Sequence, residues 1–205
     1  MKKLLLLATI ATLSTATGAA EFGTVQADKS SISFVSKQMG VAVNGRFPKF
    51  TAQVAFDPAK PEAAKVNISV DLAAIDAGSK DANDEVVGKP WFNVRMFPTA
   101  TFTSTGVKAA AAGKYEITGN LNIKGKSLPV TAPFSFKADG NTGTFDGSFT
   151  LKRNDFAIGE GSWSDVSMVA NEVQVSFRVV ASASSAAAAA PAAPATPTKA
   201  PAKTK

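Results

Sequence analysis

Apolar residues recur at every second position through most of this chain. The clearest run is 115–136. Tyr115, Ile117, Gly119, Leu121 and Ile123 share one parity; Glu116, Thr118, Asn120, Asn122 and Lys124 share the other. Successive side chains of a strand point to opposite faces, so this alternation makes one apolar and one solvated face. Gly125 marks a turn, after which Leu128, Val130, Ala132, Phe134 and Phe136 alternate again. Two such runs joined by a short glycine-containing link predict an antiparallel hairpin.

The pattern extends in both directions. Ile32 and Phe34 alternate in 31–36, and 41–47 passes through the turn or bulge signal Asn44-Gly45. Phe50, Ala52, Val54 and Phe56 share a parity and stop at Asp57-Pro58, a strong breaker. Val66, Ile68, Val70 and Leu72 follow, then 99–104, the run Phe145 to Leu151, and finally Val173, Val175, Phe177 and Val179. Eight or nine strands separated by turn signals predict an all-β fold, an antiparallel sandwich or barrel. Eight strands close into a barrel that holds one small ligand or is filled by its own side chains.

The segment near 79–93 breaks the alternation. Ser79 is placed to cap a helix, and Asp81, Asp84 and Glu85 crowd its first turns, where the helix dipole favours negative charge. Gly88 and Pro90 end it, so a short helical insertion is expected. The three carboxylates also suggest a calcium site. They lack the glycine and the regular oxygen spacing of a calcium loop, and the capped helix is the preferred reading.

The two ends of the chain lie outside this pattern. Residues 1–20 carry Lys2 and Lys3, an apolar run from Leu4 to Leu13, and small residues ending Gly18-Ala19-Ala20, the layout of a cleavable secretory signal. The apolar core is short for a membrane span, which leaves an N-terminal anchor as the weaker alternative. Residues 182–205 are rich in Ala, Pro and Lys with nothing large to bury, and read as a disordered tail. The expected domain is therefore 21–181, exported, with the periplasm as its compartment. Within it, 17 basic residues face 16 acidic ones, so the overall charge of +6 belongs mostly to signal and tail. That argues against a nucleic-acid partner. A transient contact with a membrane or envelope surface, and a homodimer, are left open.

The chain contains neither cysteine nor histidine. Disulfides, thiolate chemistry, the common triads and the usual transition-metal ligands are thereby excluded. A paired-carboxylate hydrolase survives composition alone, with Asp155 and Glu160 as examples, but no phosphate loop or S-x-x-K is present. No catalytic or metal-ligating residue is assigned. Arg153 and Asp155, two apart and so on one expected strand face, either pair with each other or meet a ligand headgroup; mutual pairing is preferred.

Several stretches resemble the YceI-like periplasmic polyisoprenoid-binding family. They are Phe56-Asp57-Pro58, Phe97 to Phe102 (FPTATF), Gly119 to Gly125 (GNLNIKG) and Arg153 to Gly159 (RNDFAIG). Ser31-x-Ile-x-Phe34 and Gly45-x-Phe47 also fit. One departure is Ala157, where the family usually has glycine. The resemblance implies an extended, lipocalin-like, eight-stranded antiparallel barrel enclosing an apolar tunnel. It also implies a bound isoprenoid lipid, either an isoprenoid quinone or a polyprenyl phosphate, held without catalysis for carriage, storage or scavenging. By parity and aromatic content the candidate lining is Phe34, Phe47, Val70, Phe102, Leu121, Ile123, Val130, Phe134, Phe149, Phe156, Trp163, Val173 and Phe177. Trp91, Phe92 and Arg153 are added at the mouth. The alternative is a barrel filled by these same side chains, acting as a structural or interaction module of the envelope.

Overall fold

The computed structural model describes residues 20–184. The expected signal through residue 19 and the tail from 185 onward lie outside the described residues. The strands are β1 (Glu21–Val25), β2 (Ser31–Gln38), β3 (Val41–Arg46), β4 (Phe50–Ala55), β5 (Lys65–Asp71), β6 (Thr99–Ala111), β7 (Lys114–Ile123), β8 (Lys126–Asp139), β9 (Thr142–Lys152) and β10 (Glu172–Ser184). All pairings are antiparallel, in the order β3-β2-β10-β9-β8-β7-β6-β5-β4, with β1 also on β10. One short helix, α1 (Lys80–Val86), interrupts the series; Ser79 Oγ caps it by accepting from the Ala82 amide at 3.2 Å.

Ten strands fill the eight positions of the expected barrel, because two of the eight are each made of two shorter strands. β1 and β2 lie end to end along β10, where Phe22 faces Ala183 and Phe34 faces Val175. A 3-10 turn at Ala27–Lys29 separates them. There Ser30 Oγ donates to the Gln26 carbonyl (2.7 Å) and accepts from the Val180 amide (3.0 Å), standing in for the missing ladder bonds. β3 and β4 are split at Pro48, which has no amide hydrogen to give.

Closure comes from both halves of this divided hairpin. At the lower end Phe22 and Phe56 exchange backbone hydrogen bonds of 2.8 and 3.1 Å, tying β1 to the end of β4. At the upper end Arg46 and Asp76 do the same at 2.8 and 3.0 Å, tying β3 to the segment after β5. The sheet is thereby closed into a barrel. β10 runs through Ser184, so Ser182 to Ser184, expected as the start of the tail, continue the last strand.

The hairpin on which the reading rests forms as expected. Tyr115, Ile117, Gly119, Leu121 and Ile123 are buried, and their neighbours face outward. Lys124 and Gly125 both have positive φ (52° and 76°), the mirror-image two-residue turn whose twist suits a hairpin. The Met39-Gly40, Lys124-Gly125, 72–98 and 153–171 connections gather at the upper end. Glu21 at the start of β1, Ser184 at the end of β10, and the 56–64, 112–113 and 140–141 turns gather at the lower.

Candidate functional site

The inward faces enclose one apolar cavity of about 630 Å³, to which strands β2 to β10 all contribute. Phe34, Phe47, Val70 and Phe102 line one side of it; Leu121, Ile123, Val130 and Phe134 continue around the wall. Phe149, Val173 and Phe177 complete the circuit, and Trp91, Phe92, Trp163 and Arg153 border its upper end. Phe34, Phe102, Phe149 and Phe177 face inward yet are only half-buried, because their rings border open space rather than other side chains.

Phe156 is the exception among the expected lining residues. It is 2% exposed and packs in the upper core beside the cavity, not on it. The physical reason is that β9 stops at Lys152 and Arg153–Phe156 form a 3-10 turn, so strand parity no longer governs residue 156. The same turn overturns the expected pairing of Arg153 with Asp155. Arg153 is 1% exposed and reaches no carboxylate among the described residues; its guanidinium donates to four backbone carbonyls. Nε donates to Ala170 (3.1 Å), Nη1 to Ile158 (2.9 Å) and Gly159 (3.1 Å), and Nη2 to Val169 (2.7 Å). Arg153 therefore clamps the long 153–171 connection onto the barrel end. Its guanidinium carbon also sits 5.8 Å from the Trp91 ring centroid, within cation–π reach. Desolvation by burial pushes its pKa below the ordinary arginine value.

A second clamp holds the same end. The Lys124 ammonium, on the β7–β8 turn, donates to the Ala157 carbonyl (2.6 Å), Glu160 Oε2 (2.7 Å) and more distantly the Pro90 carbonyl (3.4 Å). Trp91 packs against Trp163 with ring centroids 5.4 Å apart and donates its indole hydrogen to Glu85 Oε1 at 3.2 Å. Ala157, the departure noted in the sequence, takes up the left-handed conformation (φ 56°, ψ 34°) that glycine adopts without cost.

The lower end of the cavity is a floor of rings. Phe56 lies 5.2 Å from Tyr115, 4.9 Å from Phe136, 5.2 Å from Phe145 and 6.2 Å from Phe134, centroid to centroid. The upper end is open and polar: Gln38, Ser79, Asp81 and Glu85 line the cavity while remaining exposed to solvent. Sequence reasoning placed the two carboxylates on a helix but missed their position at a mouth. Only the fold brings α1 over the barrel end. Ile68, Ile117 and Val175 also line the cavity; they share the parity of chosen neighbours and were legible by the same rule.

A closed antiparallel barrel around an apolar cavity, open at one polar end, defines a barrel built to enclose a ligand. The chain belongs to the YceI-like family, whose domain model matches residues 24–181. BcnA of Burkholderia cenocepacia is similar in structure with a TM-score of 0.75 and 47% identity, covering 77% of this chain and 99% of BcnA. A polyisoprenoid binding domain from Saccharophagus degradans, implicated in plant cell wall breakdown, shares the fold at a TM-score of 0.61 and 16% identity, covering 81% of this chain and 99% of that domain. The YceI protein of Salmonella arizonae is 30% identical over 190 residues, 87% of this chain and 97% of that protein. A UPF0312 protein of Azotobacter vinelandii is 36% identical over 120 residues, 56% of this chain and 62% of that relative, so the match spans less than two thirds of it.

Proposed function

We propose that this protein is a non-catalytic, periplasmic binding protein that holds an isoprenoid lipid in its barrel for carriage, storage or scavenging. The observation that carries the proposal is the continuous apolar cavity of about 630 Å³, walled by nine strands and floored by aromatic rings. Burying a branched hydrocarbon tail there gains about 25 cal/mol per Å² of apolar surface, less the cost of ordering the tail. An open interior counts against the filled-core alternative.

The mouth favours a neutral headgroup. Asp81 and Glu85 border it, and the Arg153 hydrogen bonds go to backbone carbonyls. A phosphate brought to this opening meets two carboxylates and no free cation on the cavity wall among the described residues, whereas a quinone ring is uncharged. An isoprenoid quinone is therefore the preferred ligand over a polyprenyl phosphate. The described exposed large hydrophobic side chains, Met39, Val41, Met96, Val166 and Met168, all sit at this upper end. They support a transient membrane contact while lipid enters or leaves.

The test is to purify the protein from its native compartment, extract it with organic solvent and run mass spectrometry on the extract. A stoichiometric isoprenoid quinone is the expected result. An empty extract, followed by no uptake of added quinones or polyprenyl phosphates, would move the assignment to an envelope interaction module.

A further inference from the structure

We infer that the aromatic floor sets an upper limit on the length of isoprenoid tail the barrel accepts. This rests on the lipid-binding reading above and adds a specificity that the reading does not contain. The cavity ends on Phe56, Phe134 and Phe145, which line it, whereas Phe22, Tyr115 and Phe136 stand behind them and do not. Phe56 is 1% exposed and is held by rings on several sides: Tyr115 at 89° and Phe145 at 83° meet it edge to face, an arrangement that aromatic rings favour. Below it the Phe22–Phe56 backbone bonds seal the barrel wall, so a tail has no exit at this end. A tail entering at the polar mouth gains contact with each isoprene unit until it touches Phe56. Further units must then fold back or remain outside.

Ala132 gives a way to raise the floor. It lines the cavity two residues before Phe134 on β8, opposite Ile117, so a larger side chain there enters the cavity above Phe134. Two residues of antiparallel strand advance about 7 Å, more than the reach of one extended isoprene unit.

The delipidated protein is titrated with ubiquinones of graded side-chain length, as wild type, Ala132→Phe and Phe56→Leu. In wild type, affinity should climb with tail length and then stop climbing. Ala132→Phe should move that turning point to a shorter tail by at least one unit, weakening binding of tails just past the new floor about tenfold or more relative to short tails. Phe56→Leu should move it the other way, and it keeps the question answerable where the bulkier substitution disturbs folding. A turning point unchanged in the folded variants, or a uniform loss at all lengths, overturns the floor as a length limit. Failure of wild type to bind any ubiquinone overturns the quinone assignment on which the length limit rests, and the length limit with it.

Discussion

Gly45 faces Phe34 across the β2–β3 ladder, and the Phe34 ring occupies the space that a Cβ on residue 45 would need. The ring lies flat against the strand instead of projecting to the barrel axis. The same relation holds between Gly147 and Phe177, which are also directly opposed. Glycine in these strands is thus a device for keeping bulky rings on the wall and the centre open. At Gly45 a Cβ would also meet the Asp76 carbonyl at 2.7 Å, so the backbone has no room to yield. Gly45→Ala should cost about 1–3 kcal/mol, the usual range for overpacking. Gly106→Ala is the control: the nearest atom to its Cβ is Thr118 Oγ1 at 3.5 Å, an ordinary contact. It should be neutral or stabilise by up to about 1 kcal/mol through the unfolded chain. Urea denaturation of both variants measures the contrast, and equal losses would discard the ring-cradle explanation.

Arg153 offers a second prediction. Its side chain satisfies the carbonyls of Ile158, Gly159, Val169 and Ala170, so its loss strands several acceptors at once. Arg153→Met should destabilise by about 3 kcal/mol or more, since each buried unsatisfied group costs about 1–3 kcal/mol. Amide exchange should speed up across 157–170 before the rest of the barrel. Because the guanidinium acts here as a clamp, quinone affinity in the still-folded fraction should fall less than stability does. A folded variant with normal exchange and no lipid binding would instead make Arg153 a direct ligand contact.

The difference between these two sites explains how far the sequence could be read. The wall was legible because strand parity is local: knowing that Val173, Val175 and Phe177 alternate is enough to place all three on the cavity. The turn at Arg153–Phe156 was not, because its departure from strand geometry is fixed by contacts with residues 158–171. Phe156 was therefore assigned to the wall and Arg153 to a carboxylate that it does not meet. β1 escaped notice for a related reason. It is short, carries Gly23 and a register shift, and owes its pairing to Phe56 and β10 far along the chain. The carboxylates at the mouth were expected in the first turns of a helix; Asp81 is there, but Glu85 lies in the last turn of α1, and the relation of both to the cavity exists only once α1 lies over the barrel.

Ala157 predicts a gain. Its left-handed conformation costs a residue with a Cβ about 1–2 kcal/mol, while glycine pays extra unfolded-state entropy of about 0.4–1 kcal/mol. Ala157→Gly should therefore raise stability by about 0.5–1 kcal/mol. The Lys124 bond to its carbonyl is a backbone contact and survives the change. A thermal melt that moves down in this variant would show that the methyl group is needed for packing.

The Lys124–Glu160 contact makes the upper end sensitive to acid. The Lys124 hydrogen bond and charge hold the Glu160 carboxyl below its ordinary value. A carboxyl with a lowered native pKa stabilises the fold at pH values above its unfolded pKa, near 4.3, and that contribution disappears as pH falls through the lowered value. Glu160 is more than half exposed, so solvent screens the effect, although Lys124 itself is only 7% exposed. Glu160→Gln should accordingly be slightly less stable than wild type near neutrality, and the two should converge as the medium is made more acid. Faster exchange of the 157–161 amides should accompany the neutral-pH difference, because this contact joins that loop to the β7–β8 turn. Stability curves for the two proteins that stay parallel down through pH 3 would assign the docking to the Ala157 and Pro90 carbonyls alone.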